Sequence, residues 1–198
     1  MSPVLNGRRR SLVNVVRRGL LGALVVVVAA CGGSDPASTS DATPSEETSD
    51  DMNVVDEMFV EMMLPHHEQA IVMSAMALDP MVGARSEVVE LARQITAVQE
   101  AEIAVLMDLA STMEASGDDH SHMMKGMLTQ DELDELAALR GADFDRRWLE
   151  AMIAHHEGAI EMADDVLRDG SNSQIRELAT DVVETQRDEI ELMQSLLG

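Results

Sequence analysis

The 198-residue chain is poor in aromatic residues and in cysteine. It has no tyrosine, two phenylalanines, one tryptophan and one cysteine, Cys31. A lone cysteine excludes a disulfide framework, so the folded part must be stabilised by packing. The scarcity of aromatic rings argues against a surface that stacks on sugars or bases.

Basic residues are scarce as well, with 14 Lys and Arg against 37 Asp and Glu. Five of the basic residues precede Cys31, so the chain beyond it carries nine basic and 37 acidic residues, a net charge near −28. Such a surface repels nucleic acid and attracts cations. We therefore expect a metal ion, and no nucleic acid, among the partners.

The arginine-rich start is followed by a 12-residue apolar run, GLLGALVVVVAA, which is too short to span a bilayer. The run ends in V-A-A-C, which matches a bacterial lipobox. We predict a signal peptide over residues 1–30, lipidation of Cys31 and an extracytoplasmic protein anchored to the cell membrane by the lipid. The alternative is an ordinary secretory signal with a chance cysteine. The paired arginines in RRSLV leave Sec and twin-arginine export both open.

Residues 31–51, which contain GGSDPASTSDATPSEETSDD, have almost no apolar content and predict a disordered tether. Beyond the tether, apolar residues recur at intervals of three and four, and no strand pattern is convincing. Helices are predicted near 52–77, 85–115, 143–168 and 173–197, with a shorter one over 130–140. Thr129 and Glu132 form a Thr-x-x-Glu capping box for the short helix.

The long helices repeat one unit. MMLPHHEQAIVM returns as MIAHHEGAIEM at an offset of 89 residues, and the following helices match at an offset of 87. Neither copy can bury its apolar stripe alone. We therefore predict an all-α domain over 52–198, a four-helix bundle of two repeated hairpins. Repeat 1 covers about 52–115, a His/Met loop and the short helix cover 116–142, and repeat 2 covers about 143–198.

Helical spacing predicts that His66 and His155 point into the bundle, while His67 and His156 lie about 100° further round, towards the edge of the stripe. His67 and His156 are therefore either additional metal ligands or surface-facing partners of acidic residues. The partner helices place Glu102 and Glu189 near the centre of an apolar stripe (Leu178, Val182, Leu192 and Leu196 in repeat 2), with Gln99 and Gln186 at its flank. The inward metal candidates are Met63, His66, Met73, Met152, His155 and Met162. Glu102 and Glu189 are expected to orient the imidazoles by hydrogen bonding to them without binding the metal themselves. A purely structural alternative is that His66 and Glu102 bond each other and the methionines only fill the core.

The segment between the repeats, DDHSHMMKGM, supplies His120, His122, Met123, Met124 and Met127. Methionines in a loop gain little from packing, so core filling does not explain them. Imidazole with thioether is a soft donor set that suits Cu(I) and accepts Cu(II). Zinc, held by histidines and carboxylates, is the rival.

Catalytic signatures are missing from the sequence. It has no Cys-x-x-Cys-His haem site, no glycine-rich phosphate loop and no nucleophile–base arrangement, so no catalytic residue is predicted. Di-iron bundles carry Glu-x-x-His motifs. Here methionine, as Met63 or Met152, stands three residues before each first histidine.

The motifs FVEMMLPHHEQAIVM, QEAEI, GMLTQDELDEL and FDRRWLEAMIAHHEGAIEMA resemble the bacterial domain of unknown function 305 family. The resemblance covers nearly all of 52–198. It implies a ferritin-like helical fold and export, and an association of some members with copper binding or tolerance. We predict a protein that binds copper, buffers or delivers it, and is not an enzyme. The alternatives are an envelope interaction or stress module without metal and, less favoured, a ferritin-like oxidoreductase. The protein partner is left open.

Overall fold

A computed structural model describes residues 51–113 and 124–198. The signal peptide, Cys31, nearly all of the tether, and His120, His122 and Met123 lie outside the described residues. No helix within the described residues is long and apolar enough to cross a membrane.

Five helices make up the described domain, and no strand occurs in residues 51–113 or 124–198. They are α1 (Val54–Leu78), α2 (Ser86–Ala110), α3 (Gln130–Ala138), α4 (Gly141–Asp169) and α5 (Ser173–Leu197). The Thr129–Glu132 capping box is present at the start of α3. Asn53 and Asp56 form a second capping box, at the start of α1, which was not predicted from the sequence. The all-α prediction is confirmed.

The helices pack as two hairpins, α1 with α2 and α4 with α5, and the hairpins meet where α1 packs on α4. The core divides into two apolar clusters. The first cluster contains Met73, Ile95, Trp148 and Met193, and the second contains Phe59, Leu106, Met162 and Val182. The predicted four-helix bundle of two hairpins is thus confirmed, and its two apolar halves are separated by the part of each helix that carries buried polar residues.

The centre of each partner helix differs from the prediction. In α2 the buried positions run through Gln99, and in α5 through Gln186 and Met193, while Leu192 is 39% exposed. Glutamine, not glutamate, therefore occupies the middle of each stripe, and Glu102 and Glu189 lie at its flank. The apolar pattern alone was ambiguous because Leu192 and Met193 are adjacent and either can continue the stripe.

Candidate metal centre

His66 and His155 meet where α1 crosses α4. Their ring centroids lie 3.8 Å apart with the planes tilted by 39°, and both residues are almost fully buried. Ala70 and Ala159, each about one turn further along its helix, are also buried. The two equivalent histidines of the repeat thus form one central pair.

The proton on His66 is located by its hydrogen bond. His66 Nε2 donates to the backbone carbonyl of Lys125 at 3.1 Å, so its Nδ1 carries the lone pair. Burial lowers the pKa of His66 from 6.5 to about 3, against the opposing effect of that hydrogen bond. Burial, together with the neighbouring histidines, also lowers the pKa of His155 well below its ordinary value. Both rings are neutral near pH 7, the form that binds a metal.

The second histidine of each pair contacts a carboxylate on the partner helix of its own hairpin. His67 Nε2 donates to Glu102 Oε2 and His156 Nε2 to Glu189 Oε2, both at 2.8 Å. The expectation that these histidines could face the surface is wrong, since both are 0% exposed. The structural alternative that paired His66 with Glu102 is also wrong, because Glu102 bonds His67. The expected orienting carboxylates are present, on the second histidine of each pair.

Several polar atoms in this central layer have no hydrogen-bond partner among the described residues. They are His66 Nδ1, His67 Nδ1, both nitrogens of His155, His156 Nδ1, and the side-chain nitrogen and oxygen of Gln99 and of Gln186. Buried polar atoms are nearly always paired, so a layer with this much unused bonding capacity suits a bound ligand.

The four inward methionines lie at different distances from the histidine pair. Met63 and Met152 each precede a histidine of the pair by three residues, less than one helical turn. Met73 lies two turns away, level with Trp148, whose Nε1 donates to the Met73 carbonyl at 2.9 Å. Met162 likewise follows His155 by seven residues, so Met63 and Met152 are the inward methionines nearest to the central pair along their helices.

The end of the His/Met loop crosses the histidine pair as a segment we call the strap, Met124–Leu128. Gln69 of α1 fixes it through two hydrogen bonds, donating from Nε2 to the Leu128 carbonyl at 2.8 Å and accepting from the Leu128 amide at 2.7 Å. On α4, Lys125 pairs with Glu161. Met124 packs on the second apolar cluster, and Met127 is half-buried.

Glycine makes room for the strap at two places. A Cβ on Gly158 would lie 2.0 Å from the Lys125 carbonyl oxygen, and one on Gly126 would lie 2.2 Å from the Ala154 carbonyl oxygen. The strap is a part of the site that was not predicted from the sequence. The available signal was the difference between HHEQAI and HHEGAI, because Gln69 and Gly158 occupy the same position of the repeat.

The donor atoms of this central layer limit which metal ion the layer could hold. Within 51–113 and 124–198, no three His, Cys, Asp or Glu side chains are grouped so that they could hold a metal by themselves. The donors that remain are neutral imidazoles with thioethers nearby, a set that copper accepts.

The fold and this central layer define a helical protein with a buried histidine pair. The family model described as "Domain of unknown function (DUF305)" matches residues 56–197, and the chain belongs to this family. No curated protein matches the chain.

Solved structures of the family share the fold. A DUF305 protein from Streptomyces coelicolor, described as a candidate secreted protein, is 31% identical with a TM-score of 0.65, over 72% of this chain and 90% of the other. A DUF305 fragment from Deinococcus radiodurans is 29% identical with a TM-score of 0.65, over 74% and 97%. CopM in its Cu(II)-bound form is 31% identical with a TM-score of 0.59, over 72% and 95%. CopM is also known in Cu(I)-bound and Ag-bound forms.

Proposed function

We propose that this protein is an extracytoplasmic lipoprotein that binds copper through histidine and methionine and buffers or delivers it. The observation that carries the proposal is the buried layer at the α1–α4 crossing, where neutral imidazoles present ring nitrogens without partners among the described residues. Similarity to CopM, which has copper-bound forms, supports the same ion class.

Each donor has a distinct part in this proposal. His66 and His155 bind the ion at the centre, with Met63 and Met152 as adjacent soft donors. His67 and His156 offer alternative nitrogens to that pair. Glu102 and Glu189 hold the rings of His67 and His156 in place from the other side, as carboxylates commonly do for metal-bound histidine.

Capture and retention near the membrane are separate steps. The net charge near −28 beyond Cys31 concentrates cations around the protein, and the donors of the His/Met loop take up the ion. Those donors are His120, His122, Met123, Met124 and Met127. The strap then connects this loop to the central pair through the Lys125 carbonyl on His66. The lipid on Cys31 keeps the protein at the outer face of the membrane.

The test is an anaerobic titration of the full chain in detergent with Cu(I) against a competing chelator. A central variant replaces His66, His67, His155 and His156 with Gln, and a loop variant replaces His120 and His122 with Gln. We expect the central variant to lose high-affinity binding and the loop variant to bind more slowly with a smaller change in affinity.

Two results contradict the proposal. One is the absence of binding tighter than micromolar in the unmodified chain. The other is full affinity after all six histidines are replaced. Circular dichroism of each variant verifies that the helices are intact.

A further inference from the structure

Methionine is unevenly divided between the two apolar clusters. The first cluster has four methionines, Met73, Met76, Met152 and Met193. The second has seven, Met52, Met58, Met62, Met63, Met113, Met124 and Met162. Both clusters pack equivalent repeat positions, so core filling alone does not require the difference.

Three methionines of the second cluster border one cavity. Met58 and Met62, one turn apart on α1, face Met162 of α4 around a cavity of about 180 Å³. Met62 and Met162 are 8% and 7% exposed, and Met58 is half-buried. A methionine that only fills the core would close such a gap. These three side chains instead line a cavity that remains between them.

The polar groups at the cavity are paired with each other. Arg168 donates from Nε to Asp169 Oδ2 at 2.8 Å and from Nη2 to Asp165 Oδ1 at 2.7 Å. The cavity contains no histidine among its lining residues. The guanidinium holds one oxygen of each aspartate, and carboxylate oxygens suit hard ions, so the thioethers are the donors at this cavity that match a soft ion.

We propose that Met58, Met62 and Met162 form a second metal site, which takes a soft monovalent cation, Cu(I) or Ag(I). Thioether sulfur binds soft ions, and without imidazole it offers little to Zn²⁺ or Cu(II). Met162 follows His155 by seven residues, about 10 Å along the helix axis, so this site is separate from the histidine layer. It does not depend on the function proposed for that layer.

The histidines distinguish the two kinds of site. In a chain whose six histidines are all replaced by Gln, no imidazole is left to bind an ion, whereas an ion held by the three methionines remains bound.

The probe is Ag(I), which binds thioethers as Cu(I) does and does not change oxidation state in air. The full chain in detergent is compared with M58L/M62L/M162L and with a matched control, M76L/M81L/M107L, whose three methionines lie outside both sites. Met→Leu conserves volume and polarity closely. We expect the cavity variant to bind one equivalent fewer than the unmodified chain, and the control to bind the same number as the unmodified chain.

An unchanged number of equivalents in the cavity variant would overturn the proposal. Crystals of the unmodified chain soaked with Ag(I) provide a second measurement if the triple variant does not fold. We expect an anomalous peak between the three methionine sulfurs. Silver bound only at other places in the crystal would overturn the proposal. Replacing all six histidines with Gln removes the central site and leaves this equivalent, so the two proposals can fail separately.

Discussion

Asp56 on α1 and Asp145 on α4 occupy the same position of the repeat, and each accepts hydrogen bonds from the turn of the opposite hairpin. Asp56 Oδ2 accepts from the amides of Ser171 and Asn172 at 2.9 and 3.1 Å. Asp145 accepts from the Arg85 amide at 3.2 Å to one oxygen and 3.3 Å to the other. Both aspartates are buried, so each hairpin helps to fix the turn of the other and the two unfold together.

Replacing Asp56 should destabilise the whole bundle. The variant Asp56→Ala removes the acceptor for two turn amides, for the Asn53 amide and for the Ser171 hydroxyl. We expect a loss of about 3 kcal/mol in the free energy of unfolding, since hydrogen bonds to charged groups are the strong ones. Urea denaturation measures it, with the exposed Asp181→Ala as control. A loss no larger than that of the control is contrary to the interlocked turns.

Removing the two carboxylates that hold imidazoles should weaken copper binding without removing a ligand. In Glu102→Ala/Glu189→Ala, His67 and His156 lose the acceptors of their Nε2 protons. We expect a fall of about 10- to 100-fold in Cu(I) affinity. The matched control is Glu100→Ala/Glu184→Ala, which changes the net charge equally at exposed positions of the same helices. Equal affinities of the two double variants would refute the orienting action.

Acid should destabilise the metal-free protein before most carboxylates titrate. The pKa of His66 is about 3 in the folded chain and near 6.5 when unfolded, so between these values the unfolded state binds the extra proton. Stability therefore rises with pH through this window and is lost as pH falls below about 6.5.

From about pH 7 to about pH 5 this one histidine should account for roughly 2 kcal/mol of lost stability. The variant His66→Gln, measured by urea denaturation at both pH values, should lose less on acidification than the unmodified chain. The same loss in both proteins would contradict the assignment.

The strap should respond to a single methyl group. Alanine is favoured over glycine inside a helix by about 1 kcal/mol, so Gly158→Ala would stabilise α4 if nothing lay beside it. The Cβ would instead meet the Lys125 carbonyl at 2.0 Å. We expect a net loss of about 1–3 kcal/mol and faster amide exchange over residues 125–128. A Gly158→Ala protein that is more stable and has unchanged amide exchange over residues 125–128 would contradict this prediction.

The helices and their duplication could be predicted from the sequence because periodicity and local caps act within one segment. Thr129 caps α3 through Glu132 only three residues away, and the two repeats align without gaps inside each helix. The inward direction of His66 and His155 followed from spacing alone. The close approach of their two rings could not be predicted in this way, because it depends on the distance between α1 and α4.

The remaining features depend on contacts between distant segments. A helical angle cannot decide whether Glu102 reaches His66 or His67, because the answer depends on how α2 is rotated against α1. The partners of Asp56 lie 115 and 116 residues away, and those of Gln69 lie 59 residues away. The local sequence around either residue does not indicate such a distant partner.

A duplicated bundle with a single strap cannot remain symmetric where the strap crosses. Gln69 forms hydrogen bonds to the strap. At the equivalent position of the repeat, Gly158 has no side chain and so leaves room for the strap. One consequence falls on the histidines. The hydrogen bond from the strap fixes the tautomer of His66, while neither ring nitrogen of His155 makes a comparable hydrogen bond among the described residues. The two equivalent histidines of the repeat are therefore chemically distinct, because the strap fixes the ring of one and does not bond to the ring of the other.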